Sequence, residues 1–312
     1  MAMHPRYTLI IPHYCQPKLL ERLLDSVPVR ADLQVVVVDD GSPEDCVSRW
    51  NVLQERFPSV EFLLLPGNRG GGAARNEGLK VAKGDDVFFA DADDYFYTEA
   101  LNALLDRYAT HSSADMICFN AQAIDDVTGR PSSRADRLNW IMKQSAQERE
   151  QLLRYQHSEP WCKLIRRELI VQKGIHFDET PILNDVRFSY LVGHEAVRVL
   201  VDDSVCYCVC NRPNSVGKKM VAERKKAYTQ VMAQANHFFK QQGLPYCYKR
   251  AYRPLVFSLF RGQWQDMHVC ASELQRHGES SLSIWLNVCL YPWWLLQWVF
   301  RKRQYRQARI KS

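Results

Sequence analysis

The chain has no Cys-x-x-Cys pair, no internal repeat and no low-complexity tract, and beyond Glu279 it has no acidic residue. The ten cysteines are scattered. Cys206, Cys208 and Cys210 alternate as on one face of a strand, and no paired histidine completes a tetrahedral zinc site, so the expectation is buried thiols in a reducing compartment. No basic-then-apolar segment precedes Tyr7, and nothing marks the chain for secretion, so the expected setting is cytoplasmic. Two phosphate-loop fingerprints are also missing from the glycine stretch "PGNRGGGAARNEG". Counting from Gly70 and Gly72, the third glycine of a dinucleotide fold is Arg75, and a nucleotide-triphosphate loop from Gly67 to Gly72 needs lysine where Ala73 stands. The apolar run Leu282 to Phe300 approaches a membrane span in length, but Asn287, Pro292 and Gln297 interrupt it.

The charge that is present is unevenly placed. The chain of 312 residues holds 41 basic and 35 acidic residues, a formal net charge of +6. Arg301, Lys302, Arg303, Arg306, Arg309 and Lys311 account for all of that excess, so residues 1–279 are neutral overall. A neutral body argues against nucleic acid as a partner, since such proteins carry their basic patch on the folded domain. Lone histidines such as His111 and His237 are expected to be surface groups.

Periodicity sets the fold class. "YTLIIP", "LQVVVVDD", "VEFLLLP" and "DVFFAD" (Tyr7, Leu33, Val60 and Asp86 onward) are continuous apolar strands of the kind buried on both faces. Amphipathic stretches at 18–27, 44–57 and 73–82 lie between them, which predicts an α/β fold with a Rossmann-like, mostly parallel central sheet and flanking helices. Ligands of such sheets bind outside the carboxyl ends of the strands. Each strand indeed ends in polar residues: Pro12, His13 and Tyr14; Asp39, Asp40, Gly41 and Ser42; Gly67, Asn68, Arg69 and Gly70; and Asp91 to Asp94. Further strands are expected at 114–119, 197–201 and 205–209, a polar and mobile stretch at 125–139, helical or turn segments at 160–170 and 183–192, and helices from Lys218 onward with breaks near Gly243 and Gly278.

In "VFFADADDYF", Asp91, Asp93 and Asp94 crowd the mouth of the core, where like charges repel and raise one another's pKa unless a cation sits among them. A strand followed by an Asp-rich turn is the plain reading. The chemical one is a divalent ion, Mn²⁺ or Mg²⁺, held by carboxylates and a diphosphate. The helix after the glycine stretch presents Arg75 and Asn76 in its early turns, where free N–H groups and a cation suit phosphate. Asp39 or Asp40 is placed to accept from a nucleobase or ribose.

Six segments, "IIPHYC", "VVVDDGS", "NRGGGAARNEGL", "DADDYF", "WCKLIRREL" and "GIHFDETPILNDVRFSYL", resemble in order and spacing the family 2 glycosyltransferases, inverting enzymes of the GT-A fold that use nucleotide-diphosphate sugars. The resemblance covers roughly residues 7–215. It implies that Asp39 contacts the base, Asp91 the ribose and Asp93 the metal, with Asp91 beside it, and that Pro12, His13, Tyr14, Asp40, Gly41, Asn68, Gly70, Arg75 and Asn76 line the donor site. It makes Asp185 the base that takes the acceptor proton, with a helix N-cap as the plain alternative. Glu159 and Asp178 are the next acids to consider. Cys15 stands where the family commonly has Asn, and Asn184 where it has Glu. The basic residue or histidine that often follows the last strand is replaced by "CVCNRPNS", which leaves Arg212 as a diphosphate partner. Trp161 and Lys163 are candidates for the acceptor side, or else a buried Trp with a snorkelling Lys.

The domain expectation is a catalytic unit over 1–215 and a helical region over 216–312. Within the latter, 282–312 reads as an interfacial anchor for anionic membrane or as a hairpin packed on the body. Read as an anchor, it is expected to be separable from the body at Leu282. The expected function is sugar transfer to a glycan or lipid-linked acceptor in bacterial polysaccharide or lipopolysaccharide synthesis, peripheral at the inner membrane face. The competing readings are a sugar nucleotidyltransferase, whose glycine-rich signature belongs after the first strand, and a catalytically silent glycan-binding or scaffold protein.

Overall fold

Tyr7–His13 (β1), Leu33–Asp39 (β2), Val60–Leu64 (β3) and Asp86–Phe89 (β4) form the first half of one sheet, in the order β3-β2-β1-β4 with every pairing parallel. The computed structural model describes residues 4–47, 50–109, 114–212, 221–244 and 249–309. β-Branched and aromatic residues buried on both faces make these strands, and Leu9, Ile10, Ile11, Val36, Val37 and Val38 are fully enclosed. The helices Pro17–Asp25 (α1), Glu44–Val47 (α2), Trp50–Arg56 (α3) and Gly71–Val81 (α4) connect them.

The second half of the sheet is mixed. Tyr95–Phe96 (β5), Met116–Asp125 (β6), Lys163–Arg166 (β7) and Val199–Asn211 (β8) extend it as β4-β7-β6-β8-β5, with β7 antiparallel to both neighbours and β8 parallel to β6. Thr98–Tyr108 (α5), Asp136–Met142 (α6), Ala146–Tyr155 (α7), Arg167–Gln172 (α8) and Val186–Glu195 (α9) pack around it. Three expectations change here. The segment 160–170 contributes a strand, because Leu164 and Ile165 fill the slot between β4 and β6. The two strands expected at 197–209 are one, bent by a register shift against β6. The polar stretch 125–139 is ordered by a bridge between Ile124 and Pro131 and by α6, whose Asp136, Leu138 and Asn139 are buried.

Ala222–Gln241 (α10), Arg253–Phe260 (α11), Trp264–Arg276 (α12) and Ser281–Gln307 (α13) form a helical layer with its own core around Val231, Phe239, Tyr252, Leu255 and Leu274. A break at Gly262 joins those expected at Gly243 and Gly278. The proposed boundary at 215/216 and His111 lie outside the described residues. α13 is one helix with Pro292 inside it. Ile284 is buried and Val288, Tyr291 and Trp294 pack on the layer's core, while Arg309 makes a bidentate pair with Asp136 at 2.7 and 2.9 Å. Cutting at Leu282 would uncover that core, which weighs against a segment that separates cleanly from the body. No helix among the described residues is long and apolar enough to cross a membrane.

The thiol expectation is corrected at two positions. Cys15, after β1, and Cys46, in α2, form a disulfide, whereas Cys118, Cys162, Cys206, Cys208, Cys210 and Cys270 are buried thiols and Cys289 is exposed. A bridge closing a loop of 31 residues is worth about 3–4 kcal/mol when it mainly restricts the unfolded chain. Urea unfolding with and without a thiol reductant, on wild type and on C15S/C46S, should show wild type losing up to about that amount on reduction and the variant insensitive. Identical curves for oxidised and reduced wild type would mean that the bridge contributes nothing.

Candidate active site at the carboxyl ends of the strands

Beyond β4, the carboxylates of Asp91, Asp93 and Asp94 each place an oxygen within 4.8 Å of the others. Their repulsion is met by three different partners. Asp94 is buried and accepts from the Tyr207 hydroxyl at 2.8 Å and the Cys210 N–H at 2.7 Å. Burial, then the charges of Asp91 and Asp93, raise its carboxyl well above the ordinary range, with the two hydrogen bonds it accepts acting the other way. Asp91 receives Arg75 Nη2 at 2.6 Å. Asp93 pairs with Arg212, and its carbonyl accepts Arg22 Nη2 at 2.5 Å. The side chains of Asp91 and Asp93 remain 30% and 28% exposed and so face the rim. Two open, hard oxygen donors fit an ion that completes its shell with phosphate and water. Asp94 lies within reach of the same point but is buried and already accepts one hydrogen bond on each oxygen.

At the end of β2 the consecutive acids diverge in role. Asp39 is buried, and its Oδ1 accepts from His13 Nδ1 at 2.9 Å and from Ser42 Oγ at 2.5 Å, while Oδ2 takes the Ser42 N–H at 2.8 Å. The Gln16 N–H donates to His13 Nε2 at 3.0 Å, so the imidazole proton must lie on Nδ1, facing Asp39. Burial pushes the Asp39 carboxyl up, but these hydrogen bonds outweigh it and leave it below the ordinary value. Asp40 holds the glycine loop instead, accepting the N–H groups of Arg69 at 2.8 Å and Gly70 at 2.7 Å. Gly41 between them has φ +69°, and a Cβ there would lie 2.3 Å from the Gly67 carbonyl carbon, which only glycine tolerates. Tyr14 and Asn68 are exposed, and Pro12 is half-buried.

Asp185 is the N-cap residue of α9, half-buried, with no capping bond from its own side chain. It is tied to the acid cluster through its neighbour, because Asn184 Oδ1 accepts Arg75 Nη1 at 3.1 Å. Gly72, at the start of α4, lets this segment come close: a Cβ would stand 2.1 Å from the Asp178 carbonyl oxygen. Asn76, expected at the donor, is turned inward, its amide donating to the Phe177 carbonyl at 3.0 Å and accepting the Phe177 N–H at 2.8 Å. Phe177 stacks on Phe188 at 3.9 Å between centroids and locks α9 to the sheet. Burial raises the Asp185 carboxyl to about 6, with Arg75 opposing and the charges of Glu159 and Asp91 adding to it.

Of the two acceptor-side candidates, neither reaches the surface. Trp161 is buried and stacks on Tyr207 at 5.7 Å. Lys163 is buried rather than snorkelling, and its Nζ donates to the carbonyls of His157 at 2.6 Å and Glu159 at 2.8 Å, burial lowering it to about 8. The pair braces the segment that carries Glu159, whose carboxylate takes Arg137 at 2.7 and 2.9 Å. Asp178 pairs with Arg187 at 3.3 Å. Sequence reasoning left Tyr207, Ser42 and Gly72 without roles at this rim. A tyrosine between strand cysteines and a serine in a turn carry no signal until the strands are paired.

The family model described as glycosyl transferase family 2 matches residues 8–172. The chain is 27% identical over 252 residues to the uncharacterized glycosyltransferase EpsJ of Bacillus subtilis, covering 76% of this chain and 71% of that protein. It is 33% identical over 101 residues to the poly(ribitol-phosphate) beta-glucosyltransferase of Bacillus spizizenii, 31% of this chain and 16% of that one. Among solved structures, Staphylococcus aureus TarS 1-349 in complex with UDP-GlcNAc superposes with a TM-score of 0.59 at 19% identity, over 88% of this chain and 93% of that one. The mannosyltransferase PcManGT from Pyrobaculum calidifontis, in complex with GDP-Man and Mn²⁺, gives 0.52 at 19%, over 98% and 86%. These structural likenesses establish the GT-A fold.

The raised Asp185 has a measurable signature. Its folded value of about 6 exceeds the 3.8 of the free side chain, so the folded state loses stability as pH rises from about 4 through about 6. Asparagine never ionises and escapes that loss. D185N should therefore be more stable than wild type above pH 6, by on the order of 1–3 kcal/mol, with the gain gone by about pH 4. Urea unfolding at pH 7.5 and pH 4 tests this, and a variant less stable than wild type at pH 7.5 contradicts the buried, disfavoured charge.

Proposed function

The chain belongs to glycosyl transferase family 2, and from that premise we propose that it transfers a sugar, with inversion, from a nucleotide-diphosphate donor to a hydroxyl of a glycan or lipid-linked acceptor in bacterial surface-polysaccharide assembly. The observation that carries this reading is the link Asp185–Asn184–Arg75–Asp91, which joins an acid of pKa about 6 to the carboxylate cluster through one arginine. Asp185 takes the acceptor proton as the new C–O bond forms, the bond from the anomeric carbon to phosphate breaks, and the nucleoside diphosphate leaves. Attack from one face with one base inverts the anomeric centre. Asp91 and Asp93 are the residues that would hold Mn²⁺ or Mg²⁺, and that ion would supply positive charge to the departing diphosphate. Arg75 and Arg212 are the cations positioned to take phosphate oxygens. Asp39, closed by His13 and Ser42, shapes the base pocket and has spare acceptor capacity on Oδ2. A silent glycan-binding or scaffold protein needs none of this charge arrangement. A sugar nucleotidyltransferase needs glycines after β1, where "PHYCQP" stands.

Incubating purified full-length protein with a panel of nucleotide sugars, with and without Mn²⁺, should release nucleoside diphosphate from at least one donor. D185N should lose about 100- to 10,000-fold in transfer rate while donor affinity stays within a few-fold. Because Asp185 must be ionised to act, the wild-type rate should climb with pH to a plateau above about 6. Near-normal turnover by D185N would remove Asp185 from the role of base.

For the C-terminal helix, the membrane reading rests on what α13 leaves uncovered. Leu282, Trp285, Leu286, Cys289, Trp293, Leu296 and Phe300 are exposed and fall on one side of the helix, opposite the packed Ile284, Val288 and Tyr291. That stripe runs for about 27 Å at 1.5 Å per residue. Arg301, Lys302, Arg303 and Arg306 follow it, all exposed, with Lys302 lying 4.7 Å from the Trp298 ring centroid. An apolar face that ends in cations suits the surface of an anionic bilayer, each basic residue contributing about 1 kcal/mol. Co-sedimentation with anionic vesicles should fall about tenfold or more for W285S/W293S, and wild-type binding should weaken as salt screens the surface charge. Equal sedimentation of wild type and variant would discard the anchor.

A further inference from the structure

Because β7 runs antiparallel to β4, with Asp86 opposite Arg166 and Val87 opposite Ile165, the start of β7 lies at the same rim as Asp91. The segment that enters β7, His157 to Cys162, is thereby brought to the site. It is tied to the helix that Asp185 caps: Ser189, one turn further along α9, donates its N–H to the Asp185 carbonyl at 2.9 Å and its hydroxyl to the Ser158 carbonyl at 2.6 Å. Glu159 is the next residue, and its side chain is 31% exposed. It is a carboxylate near the candidate base that the donor-site reading leaves unused.

We propose that Glu159 is a positioning residue of the transfer reaction, a fixed negative charge that acts on Asp185 from the β7 side and offsets Arg75; this rests on the glycosyltransferase reading. Rigidity supports it first. Arg137 Nη2, from α6, meets the two carboxylate oxygens at 2.9 and 2.7 Å and Ser158 Oγ at 3.1 Å. Lys163 Nζ holds the backbone through the carbonyls of Glu159 at 2.8 Å and His157 at 2.6 Å. His157 Nδ1 stands 3.2 Å from Glu159 Oε2. Tied at carboxylate and backbone, the side chain cannot swing out to solvent, so its charge keeps one distance from α9.

The balance of charges supports it second. Arg75 and Asp91 act on Asp185 from the α4 and β4 side, and Glu159 and Lys163 from the β7 side. On its own helix, Arg187 is paired with Asp178 at 3.3 Å. The helices α7, α8 and α10 meet later turns of α9, where Tyr155 reaches His194, Lys173 pairs with Glu195 and Phe238 stacks on Tyr190. Burial raises the Asp185 carboxyl to about 6, Arg75 opposes this, and the charges of Glu159 and Asp91 add to it. A cation favours the ionised carboxylate and so weakens it as a base, and a like charge does the reverse. Asp91 already faces Arg75 at 2.6 Å and is assigned to the ion, which leaves Glu159 as the acid whose charge stays available to the base. Glu159 itself stays ionised where Asp185 titrates: burial pushes its carboxyl up, but Arg137 and then His157 outweigh this and hold it well below the ordinary range. When Asp185 takes the acceptor proton, its repulsion with Glu159 disappears, which favours that transfer.

Two variants of the full chain test this. E159Q removes the charge and keeps the shape, whereas E159D keeps the charge and shortens the reach; circular dichroism should show both folded. Nucleoside diphosphate release from a nucleotide sugar that the enzyme turns over should rise with pH in all three proteins. The midpoint should lie about 0.5–1 pH unit lower in E159Q than in wild type, with a plateau about two- to fivefold lower and E159D close to wild type. Urea unfolding of D185N against its parent gives a readout that needs no donor. The gain in folding equilibrium constant that D185N brings at pH 7.5 should be about three- to tenfold smaller in the E159Q background than in wild type, with no difference left by about pH 4. A midpoint that shifts as far in E159D as in E159Q means that the segment has merely loosened, and a D185N gain unchanged by E159Q means that the charge does not reach Asp185; either overturns the proposal. Its failure is distinct from that of the enzymatic reading. Loss of transfer in D185N with no coupling to Glu159 removes the role of Glu159 alone, whereas coupling without turnover of any nucleotide sugar keeps the electrostatic pair and removes the transferase.

Discussion

Three aspartates in four residues at the end of a buried strand are tolerable only if their charge is cancelled locally, and the structure does this by giving each a different environment. Asp94 is withdrawn from water, which with the charges of Asp91 and Asp93 raises its carboxyl, while a hydroxyl and an N–H satisfy its two oxygens and act the other way. Asp91 and Asp93 keep facing the rim and take one arginine each. Much of the surrounding architecture serves these pairings. β8 must lie where Tyr207 and Cys210 reach Asp94, α4 must start where Arg75 reaches Asp91, and Arg212 must follow β8 directly. A single electrostatic requirement thus couples three separate chain segments, and through Asn184 it also ties in the segment that carries Asp185.

The backbone shows where that coupling costs energy. Among the described residues the non-glycine positions with positive φ are Cys15, Cys162 and Leu183. Each sits beside the site: one after β1, one behind Trp161, one two residues before Asp185. A left-handed residue with a side chain costs about 1–3 kcal/mol and persists only when its surroundings overdetermine it. For Leu183 those surroundings are the Asp178–Asn184 backbone bond and the close approach at Gly72. For Cys15 they are the disulfide to Cys46 and the bond from its N–H to Ser42 Oγ.

What could be read from the residues alone follows from range. The first four strands, their order of chemistry along one rim, and the acids, arginine and glycines of that rim were all legible, because parallel strands buried on both faces leave unbroken apolar runs and end in turn residues. The inward turn of Asn76, the split roles of Asp39 and Asp40, and the burial of Lys163 were not. Asn76 depends on a partner far away in sequence, Phe177, Lys163 on the fold of the loop just before it, whose carbonyls at His157 and Glu159 receive its Nζ, and the two acids on which of two adjacent carboxylates points into the sheet. β7 escaped for a related reason: four residues flanked by helix formers have no period of their own, and only the gap between β4 and β6 makes them a strand. The disulfide was missed because composition speaks to redox setting and not to which Cα atoms approach.

A rim already neutral binds net charge poorly, and this bears on how the proposed donor and ion enter. With Arg75 on Asp91 and Arg212 on Asp93, an incoming diphosphate alone must draw the arginines away and leave two carboxylates uncompensated beside it. A divalent ion alone must claim the carboxylates and leave two guanidinium groups facing it. Arriving together, they would exchange partners: Asp91 and Asp93 would hold the ion, Arg75 and Arg212 would take the phosphates, and the summed charge of the site would not change. Each ligand would then remove the obstacle to the other, and the coupling between them would be favourable in both directions by the same amount. Asp94 stands outside the exchange because its partners are a hydroxyl and an N–H that no ligand displaces. The arrangement that lets three aspartates coexist is thus one in which the proposed donor and ion would bind as a pair.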